Sequence, residues 1–223
     1  MENKIVNKGF VQPWIEVEEY VLGSNSKLPD EILIPNGDWS KYFTDNEKQA
    51  NEYFDTYNCT GEGTANQIQA YMRCKFGIVD EYSKRAIGII AGTKPPGNNP
   101  QVVYEAIRKA GLILEASLAF KEDIKNLESY YSPNPLTSEL LTEAKDWLAR
   151  YDFQHDWLFY PTATLDYKMQ KIGEGLKSSP IAVSVFAWKQ RNGLYYKEIG
   201  ESDTHWTVLQ KFALIKDSYE PFD

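Results

Sequence analysis

The order of two hydrophobic periodicities along the chain constrains its fold more than any other feature. Before Pro180, apolar residues recur at helical spacing in several separate segments. From Pro180 onwards, "PIAVSVFAW" alternates apolar and small residues and is rich in β-branched side chains, as strands are. "GLYYKEI" and "HWTVLQKFALIKDSY" continue this pattern towards the C-terminus. Helices that come first and strands that come last predict an α+β fold with segregated halves.

Four segments carry the helical pattern. They are predicted at 64–76, 100–111, 136–151 and 167–179. Pro100 in the first turn and Gly111 just past the last are typical helix boundaries, and Gly77 ends the first segment in the same way. Thr137 or Ser138 is suited to cap the third helix. These boundary residues support the helical interpretation independently of the apolar spacing.

Two segments lack either periodicity. Residues 1–37 are interrupted by prolines and by Gly37, which predicts an extended N-terminal arm. "AGTKPPGNNP", residues 91–100, predicts a loop. The remaining residues, 38–223, are enough for one domain, or for two small lobes around a cleft.

The charge balance limits the classes of partner. The chain has 24 Lys+Arg against 32 Asp+Glu, a net charge of −8, and no basic run. Such a chain is not expected to bind nucleic acid or an anionic membrane surface. No apolar stretch approaches the ~20 residues of a membrane span, and the first residues do not resemble a signal peptide.

The two cysteines, Cys59 and Cys74, are not expected to form a disulfide. Fifteen helical positions would separate them by roughly 22 Å, whereas a disulfide needs Cα atoms within about 7 Å. Two reduced thiols favour a reducing compartment. Two cysteines and two histidines, widely scattered, give no metal-ligand spacing, and there is no phosphate-binding glycine motif, so no metal or cofactor is predicted.

A cysteine, a histidine and an aspartate nevertheless suggest chemistry. If 205–209 and 212–217 are antiparallel strands joined near Lys211, His205 lies opposite Asp217, with Cβ atoms about 5 Å apart. The carboxylate would then fix the tautomer and orientation of the imidazole. Cys59 precedes the 64–76 helix, where the helix dipole stabilises a thiolate. The pattern is that of a Cys-His-Asp nucleophilic triad.

This order of residues resembles the papain-like cysteine peptidases. "HWTVL…FALIKDSY" is similar to the family's histidine strand and "KNSW" segment, with Asp217 in place of Asn. "SSPIAVSVFAW" resembles the family's "GPV" strand, and "GNNPQVVYEAIRKAGLILEASL" its substrate-edge loop and following helix. "FDTYNCTGEGTANQIQAYM" resembles the nucleophile segment of the phage-encoded type. The resemblance covers roughly residues 38–219.

The resemblance implies a two-lobed fold, with a helical left lobe that carries Cys59 at a helix N-terminus and an antiparallel β right lobe. It implies hydrolysis of peptide or isopeptide bonds by Cys59, His205 and Asp217. Gln49 is the candidate oxyanion donor, since Tyr53 stands where the family has its glutamine. Gly97 and Asn98 would bind an extended polypeptide substrate.

The phage-type resemblance places the protein in a host cytoplasm or a virion, where phage structural proteins are the alternative partners. The oligomeric state stays open. The chain stops four residues after Tyr219, where the family continues into further strands, and a fragment, a cleaved product and a minimal version of the domain are the open interpretations.

Several departures from the family keep other interpretations open. "TGEG" follows Cys59, which puts two glycines in the first helical turn and the Glu62 carboxylate near the thiol. These residues favour a catalytically degraded structural or interaction module, such as a virion component. An amidase or transferase acting on a non-protein amide is a third possibility. The polar flank "YNCTGEG" argues against deep burial of Cys59, whereas Cys74 is expected in the core, and His155 is expected to be structural.

Overall fold

The computed structural model describes most of the chain. The described residues are 9–12, 31–44, 49–121, 123–187, 190–191, 194–196, 200–212 and 214–216. The helices among them are α1 (Cys59–Phe76), α2 (Lys84–Ile90), α3 (Pro100–Ala110), α4 (Leu127–Tyr130), α5 (Ser138–Arg150) and α6 (Leu165–Gly175), with a 3-10 turn at Ser40–Tyr42. The strands are β1 (Gly9–Phe10), β2 (Gly97–Asn98), β3 (Ile181–Val185), β4 (Gln190–Arg191), β5 (Leu194–Tyr195), β6 (His205–Lys211) and β7 (Leu214–Lys216). Apart from β1 and β2, helices precede strands, as predicted.

Helix α1 is the element on which helices α2 and α3 and the main sheet pack. It begins at Cys59, five residues before the predicted start, and ends at Gly77, which adopts a left-handed conformation (φ 66°) and donates its N–H to the Met72 carbonyl. Helices α2 and α3 pack on it, and strands β3 and β6 pack on it as well. Because several faces are covered, even polar side chains such as Gln69 are buried along this helix.

Helices α3 and α5 confirm the predicted boundaries. The Asn99 side chain accepts the N–H of Gln101 at the start of α3, and Gly111 (φ 90°) caps its end. The Thr137 side chain caps α5 by accepting the N–H of Leu140. The helices share one apolar core with α1, formed by Ala65, Ile68, Met72, Tyr82, Ile87, Val103, Ile107, Leu112 and Trp147.

The main sheet has the strand order β3-β6-β7, with antiparallel neighbours. The predicted pairing of the last two strands would set Val208 opposite Leu214, but Val208 lies opposite Lys216. The predicted register is therefore wrong by two residues. The reason is that β6 continues to Lys211 and an irregularity between Leu209 and Lys211 lengthens that strand relative to β7. Asp217 itself lies outside the described residues.

A small parallel sheet joins the predicted N-terminal arm to the predicted loop at 91–100. Within the N-terminal arm, β1 pairs with β2 of the 91–100 loop, so that Gly9 lies opposite Gly97 and Phe10 opposite Asn98. A second two-stranded sheet, β4 with β5, lies in and beside the predicted "GLYYKEI" strand. Among the described residues, no helix is both long and apolar enough to cross a bilayer.

Candidate active site

Cys59 is the first residue of α1, where the N–H groups of the first turn point outwards and the helix dipole favours a negative charge. The residue is completely buried (0% exposed), which corrects the expectation from its polar flank. The cover is aromatic, because Cys59 belongs to a buried cluster with Phe10 and Trp206. Neither cysteine forms a disulfide, and Cys74 is half-buried beside a second apolar core.

His205 is the first residue of β6 and is buried as well (1% exposed). The start of this strand lies against the first turns of α1. A Cβ added to Gly63 would meet the Trp206 ring at 2.8 Å and the Trp206 carbonyl oxygen at 3.4 Å. Gly63 is four residues after Cys59 and therefore on the same face of the helix. Cys59 and His205 thus lie at the starts of a helix and a strand that pack directly against each other.

The glycines of "TGEG" have a packing role that the sequence did not reveal. A Cβ at Gly61 would lie 2.5 Å from the Asn58 side-chain oxygen, and Gly63 leaves room for Trp206. The buried Asn58 amide donates to the Lys84 carbonyl at 2.9 Å, which ties the start of α1 to α2. The two glycines therefore allow close packing around the cysteine, and this packing offsets the low helix propensity of glycine.

A buried carboxylate and two tyrosines lie beside the first turn of α1. Glu62 is 3% exposed. Burial raises the pKa of Tyr131 far above its usual range, and electrostatic interactions with Glu62 and Cys59 raise it further. The pKa of Tyr130 is raised for the same two reasons, burial first and then Glu62. The Tyr131 hydroxyl donates to the Thr56 carbonyl at 2.7 Å and so holds the segment that leads to Cys59.

Gln49, the predicted oxyanion donor, is completely buried and lies close to that same segment. Its side-chain N–H donates to Asp55 Oδ1 at 2.9 Å, and the same oxygen accepts the backbone N–H of Tyr57 at 2.8 Å. Tyr57 has a positive φ of 55°, so this hydrogen bond supports an uncommon backbone conformation two residues before Cys59. The Gln49 amide is therefore held next to the segment that precedes Cys59.

Gly97 and Asn98, the predicted substrate-binding residues, form strand β2. The Asn98 amide donates to the Ala91 carbonyl and to Thr93 Oγ1, both at 3.0 Å, and so holds its own loop in shape. Its backbone carbonyl accepts the N–H of Val11 at 2.9 Å. The backbone edge that was predicted to bind an extended peptide therefore binds residues 9–11 of this chain.

His155 contacts residues of α3. Its Nε2 is 3.0 Å from Glu105 Oε1, and its ring contacts those of Tyr104 and Phe153. Burial lowers the pKa of His155, although Glu105 opposes that effect. These contacts agree with the expected structural role.

Sequence reasoning missed the aromatic side chains around Cys59. Phe10, Trp206, Tyr104 and Trp157 come from four separate parts of the chain, and no local spacing connects them. The available signal was a general one, the 14% aromatic content. Among the described residues, no group of three or more His, Cys, Asp and Glu side chains is placed to hold a metal ion.

No protein-family model and no curated protein matches the sequence. Among solved structures, the chain is similar to the crystal structure of the Amb a 11 cysteine protease, a major ragweed pollen allergen, in its proform. The TM-score is 0.51 at 13% sequence identity, and the match covers 88% of this chain and 58% of that chain. This chain therefore spans less than two thirds of the protease's length. The likeness shows a papain-like fold with mixed helices and strands.

Proposed function

We propose that the protein is a papain-like cysteine peptidase in which Cys59 is the nucleophile and His205 the general base. The observation that carries the proposal is the packing of the helix that begins at Cys59 against the strand that begins at His205, within a papain-like fold. A nucleophile at a helix N-terminus and a histidine on the adjoining strand are the two parts that acyl transfer through a thiolate requires.

In the proposed reaction, His205 takes the proton from the Cys59 thiol, and the sulfur attacks the carbonyl carbon of a peptide or isopeptide bond. The protonated imidazole then gives its proton to the leaving amine, and water releases the acyl group. Asp217 is proposed to orient His205 on the strength of the family resemblance alone, because the observed register of β6 and β7 does not set the two residues directly opposite each other. The N–H of Cys59 and the amide of Gln49 are proposed to stabilise the oxyanion, and each such donor contributes about 3 kcal/mol.

The proposed substrate is an extended polypeptide that pairs with the backbone of Gly97 and Asn98. Residues 38–223 are proposed as the catalytic domain, with the substrate groove between a helical lobe and a β lobe. The phage-type resemblance of "FDTYNC" further suggests a virion or an infected cell as the setting.

A second candidate is a papain-like module without catalysis, for example a virion component. Two observations favour it: Cys59 is completely buried, and the Glu62 carboxylate lies in the same helical turn. A nearby carboxylate disfavours the thiolate.

One labelling experiment separates the two candidates. A thiol-directed peptidyl electrophile is added to the wild-type chain and to Phe10→Ala, which removes part of the cover over Cys59. The peptidase proposal expects Cys59 to react much faster than Cys74 at neutral pH. The reaction should be lost in His205→Ala and retained in the matched variant His155→Ala. If Cys59 and Cys74 are labelled at equal rates in both the wild type and Phe10→Ala, the peptidase proposal fails and only the papain-like fold remains supported.

A further inference from the structure

Two consecutive tyrosines contact the segment that leads to Cys59. The Tyr131 hydroxyl donates to the Thr56 carbonyl at 2.7 Å, and the Tyr130 hydroxyl lies 3.5 Å from the side-chain nitrogen of Asn58. The members of these pairs are 75 and 72 residues apart in sequence. Tyr130 and Tyr131 together are called the tyrosine clamp here. The clamp reaches the backbone three residues before the candidate nucleophile.

The tyrosine clamp is itself fixed to helix α2. Arg85 of α2 is 8% exposed, and its guanidinium donates to the Tyr130 carbonyl at 2.9 Å and to the Ser129 carbonyl at 2.8 Å. Hydrogen bonds from a planar guanidinium are directional and charge-assisted. The Tyr130 ring is completely buried and meets Phe120 edge-on at 4.8 Å. The orientation of the clamp is therefore set by contacts outside the segment that it holds.

Gly88 allows the clamp and the segment to meet on one face of α2. A Cβ at Gly88 would lie 2.9 Å from the Tyr131 ring and 3.0 Å from the side-chain oxygen of Asn58. The Asn58 side-chain N–H donates to the carbonyl of Lys84, one helical turn earlier on the same face. Helix α2 is therefore the common support for Tyr131 and for the residue just before Cys59.

This support changes how α1 begins. The residue before each of the helices α2 to α6 accepts an N–H of the first turn with its side chain. Asn58 makes no such cap on α1, although asparagine is among the best N-cap residues. Its amide is held by the Lys84 carbonyl, and its backbone (φ −105°, ψ 26°) lies outside the extended region that N-cap residues adopt. The Asn58 side chain therefore does not compete with a developing negative charge for the start of α1.

We propose that Tyr131 is a positioning residue for the reaction at Cys59. Its hydroxyl fixes the Thr56 carbonyl and thereby the direction of the backbone that presents the sulfur and the N–H of Cys59. Tyr57 lies within this stretch at a φ of 55°, a conformation that persists only where the surroundings hold it. The inference rests on the proposed function, because it takes Cys59 as the nucleophile. A displacement of about 1 Å at a reacting group lowers the rate by up to ~100-fold.

The Tyr131 hydroxyl remains a donor at every pH at which the protein would act. Burial raises its pKa far above the usual range, and electrostatic interactions with Glu62, Cys59 and Asp55 raise it further. Because the hydroxyl does not ionise, its removal should lower the rate by the same factor at each pH. An electrostatic effect on the Cys59 thiol would change the shape of the pH profile instead.

The test compares two tyrosine variants in the hydrolysis of fluorescently labelled casein. Tyr131→Phe should lower kcat by roughly 10- to 100-fold between pH 5 and 9, with KM and the shape of the pH profile unchanged. Tyr82→Phe is the matched control, because it also removes a buried hydroxyl, one that bonds to Trp147 instead. It should lower the urea midpoint comparably but keep kcat within about twofold of the wild type. Equal kcat values for the two variants would overturn the inference.

Amide hydrogen exchange of residues 54–60, followed by mass spectrometry, measures the same effect without catalysis. Tyr131→Phe should accelerate exchange there by about tenfold or more, and Tyr82→Phe should leave it unchanged. Gly88→Ala is the second variant, for use if Tyr131→Phe does not fold. It keeps the hydroxyl but displaces the Tyr131 ring, so it should produce the same local acceleration. Unchanged exchange at 54–60 in a folded variant would contradict the proposed positioning.

The two measurements separate this inference from the proposed function. If the wild type does not hydrolyse casein and the peptidyl electrophile does not discriminate between the cysteines, the peptidase function fails. Accelerated exchange at 54–60 in Tyr131→Phe would then still show that Tyr131 positions the segment before Cys59. If the wild type hydrolyses casein and Tyr131→Phe matches it in kcat and in exchange, the function stands and the role of Tyr131 is wrong.

Discussion

The indole ring of Trp206 occupies the space into which a side chain at position 63 would project. A Cβ there would lie 2.8 Å from the nearest ring atom, closer than van der Waals contact allows. Gly63→Ala should therefore destabilise the protein by roughly 1–3 kcal/mol through overpacking, although alanine has the higher helix propensity. Urea unfolding of the wild type and the variant measures the difference.

Gly173→Ala is the matched control for this substitution. Gly173 lies in helix α6, and a Cβ there would meet nothing within 4 Å. Without a clash, the gain in helix propensity remains, and we expect stabilisation of up to about 1 kcal/mol. Opposite signs at the two glycines would support the packing of β6 against α1. Stabilisation at both positions would contradict that packing.

Asp55 connects Gln49 to the segment before Cys59. One of its oxygens accepts two hydrogen bonds, from the Gln49 side chain and from the Tyr57 backbone. Asp55→Ala should cost about 2–3 kcal/mol of unfolding free energy, because it leaves the buried Gln49 amide without this acceptor. Chemical denaturation checks this value.

The exposed Asp152 offers a comparison for Asp55. Its carboxylate accepts one side-chain hydrogen bond from Gln154, in an exposed setting. Asp152→Ala should therefore change the stability by less than about 0.5 kcal/mol. If the two alanine variants are equally stable, the connection between Asp55 and Gln49 contributes nothing to the structure around Cys59.

Features set by neighbouring residues were predictable from the sequence. The Thr137 cap, Pro100 and the glycines Gly77 and Gly111 act within one helical turn, and α3 and α5 lie where the sequence places them. Helix α1 ends where it was predicted to end, although it begins five residues early. The α+β order follows from the same local patterns. The short helix α2 was not predicted, because seven residues are too few to show a period clearly.

Features that depend on distant contacts were not predictable. The register of β6 and β7 depends on a backbone irregularity near Leu209 that the alternating pattern does not reveal, since a shift of two residues keeps every side chain on the same face. The burial of Cys59 depends on Phe10 and Trp206, which lie far from it in sequence. Local polarity around the cysteine therefore gave the wrong expectation.

Tyr82 accepts a hydrogen bond from the indole N–H of Trp147 at 3.0 Å in the core between α1, α3 and α5. Burial is the main reason that the pKa of Tyr82 rises to about 12. Tyr82→Phe should destabilise the protein by about 1–3 kcal/mol, because the Trp147 N–H would lose this acceptor in a buried site. Tyr160, 40% exposed, is the control, and Tyr160→Phe should have almost no effect on the thermal midpoint. Equal midpoints for the two variants would contradict this account.

The Glu105 carboxylate contacts Arg108 at 2.6 Å and His155 at 3.0 Å. Hydrogen bonding to Arg108 is the largest cause that lowers the pKa of Glu105 from 4.5 to about 2. A carboxyl group whose pKa is lowered on folding stabilises the folded state at pH values above its pKa in the unfolded chain. This contribution is lost as the pH falls to the pKa in the folded chain. The free energy of unfolding of the wild type should exceed that of Glu105→Gln by about 0.5–1 kcal/mol near pH 5. This difference should be lost as the pH falls from 4.5 to about 2. Urea unfolding of the wild type and of Glu105→Gln over this pH range measures the difference. A difference that grows on acidification would show that the charge of Glu105 does not stabilise the fold.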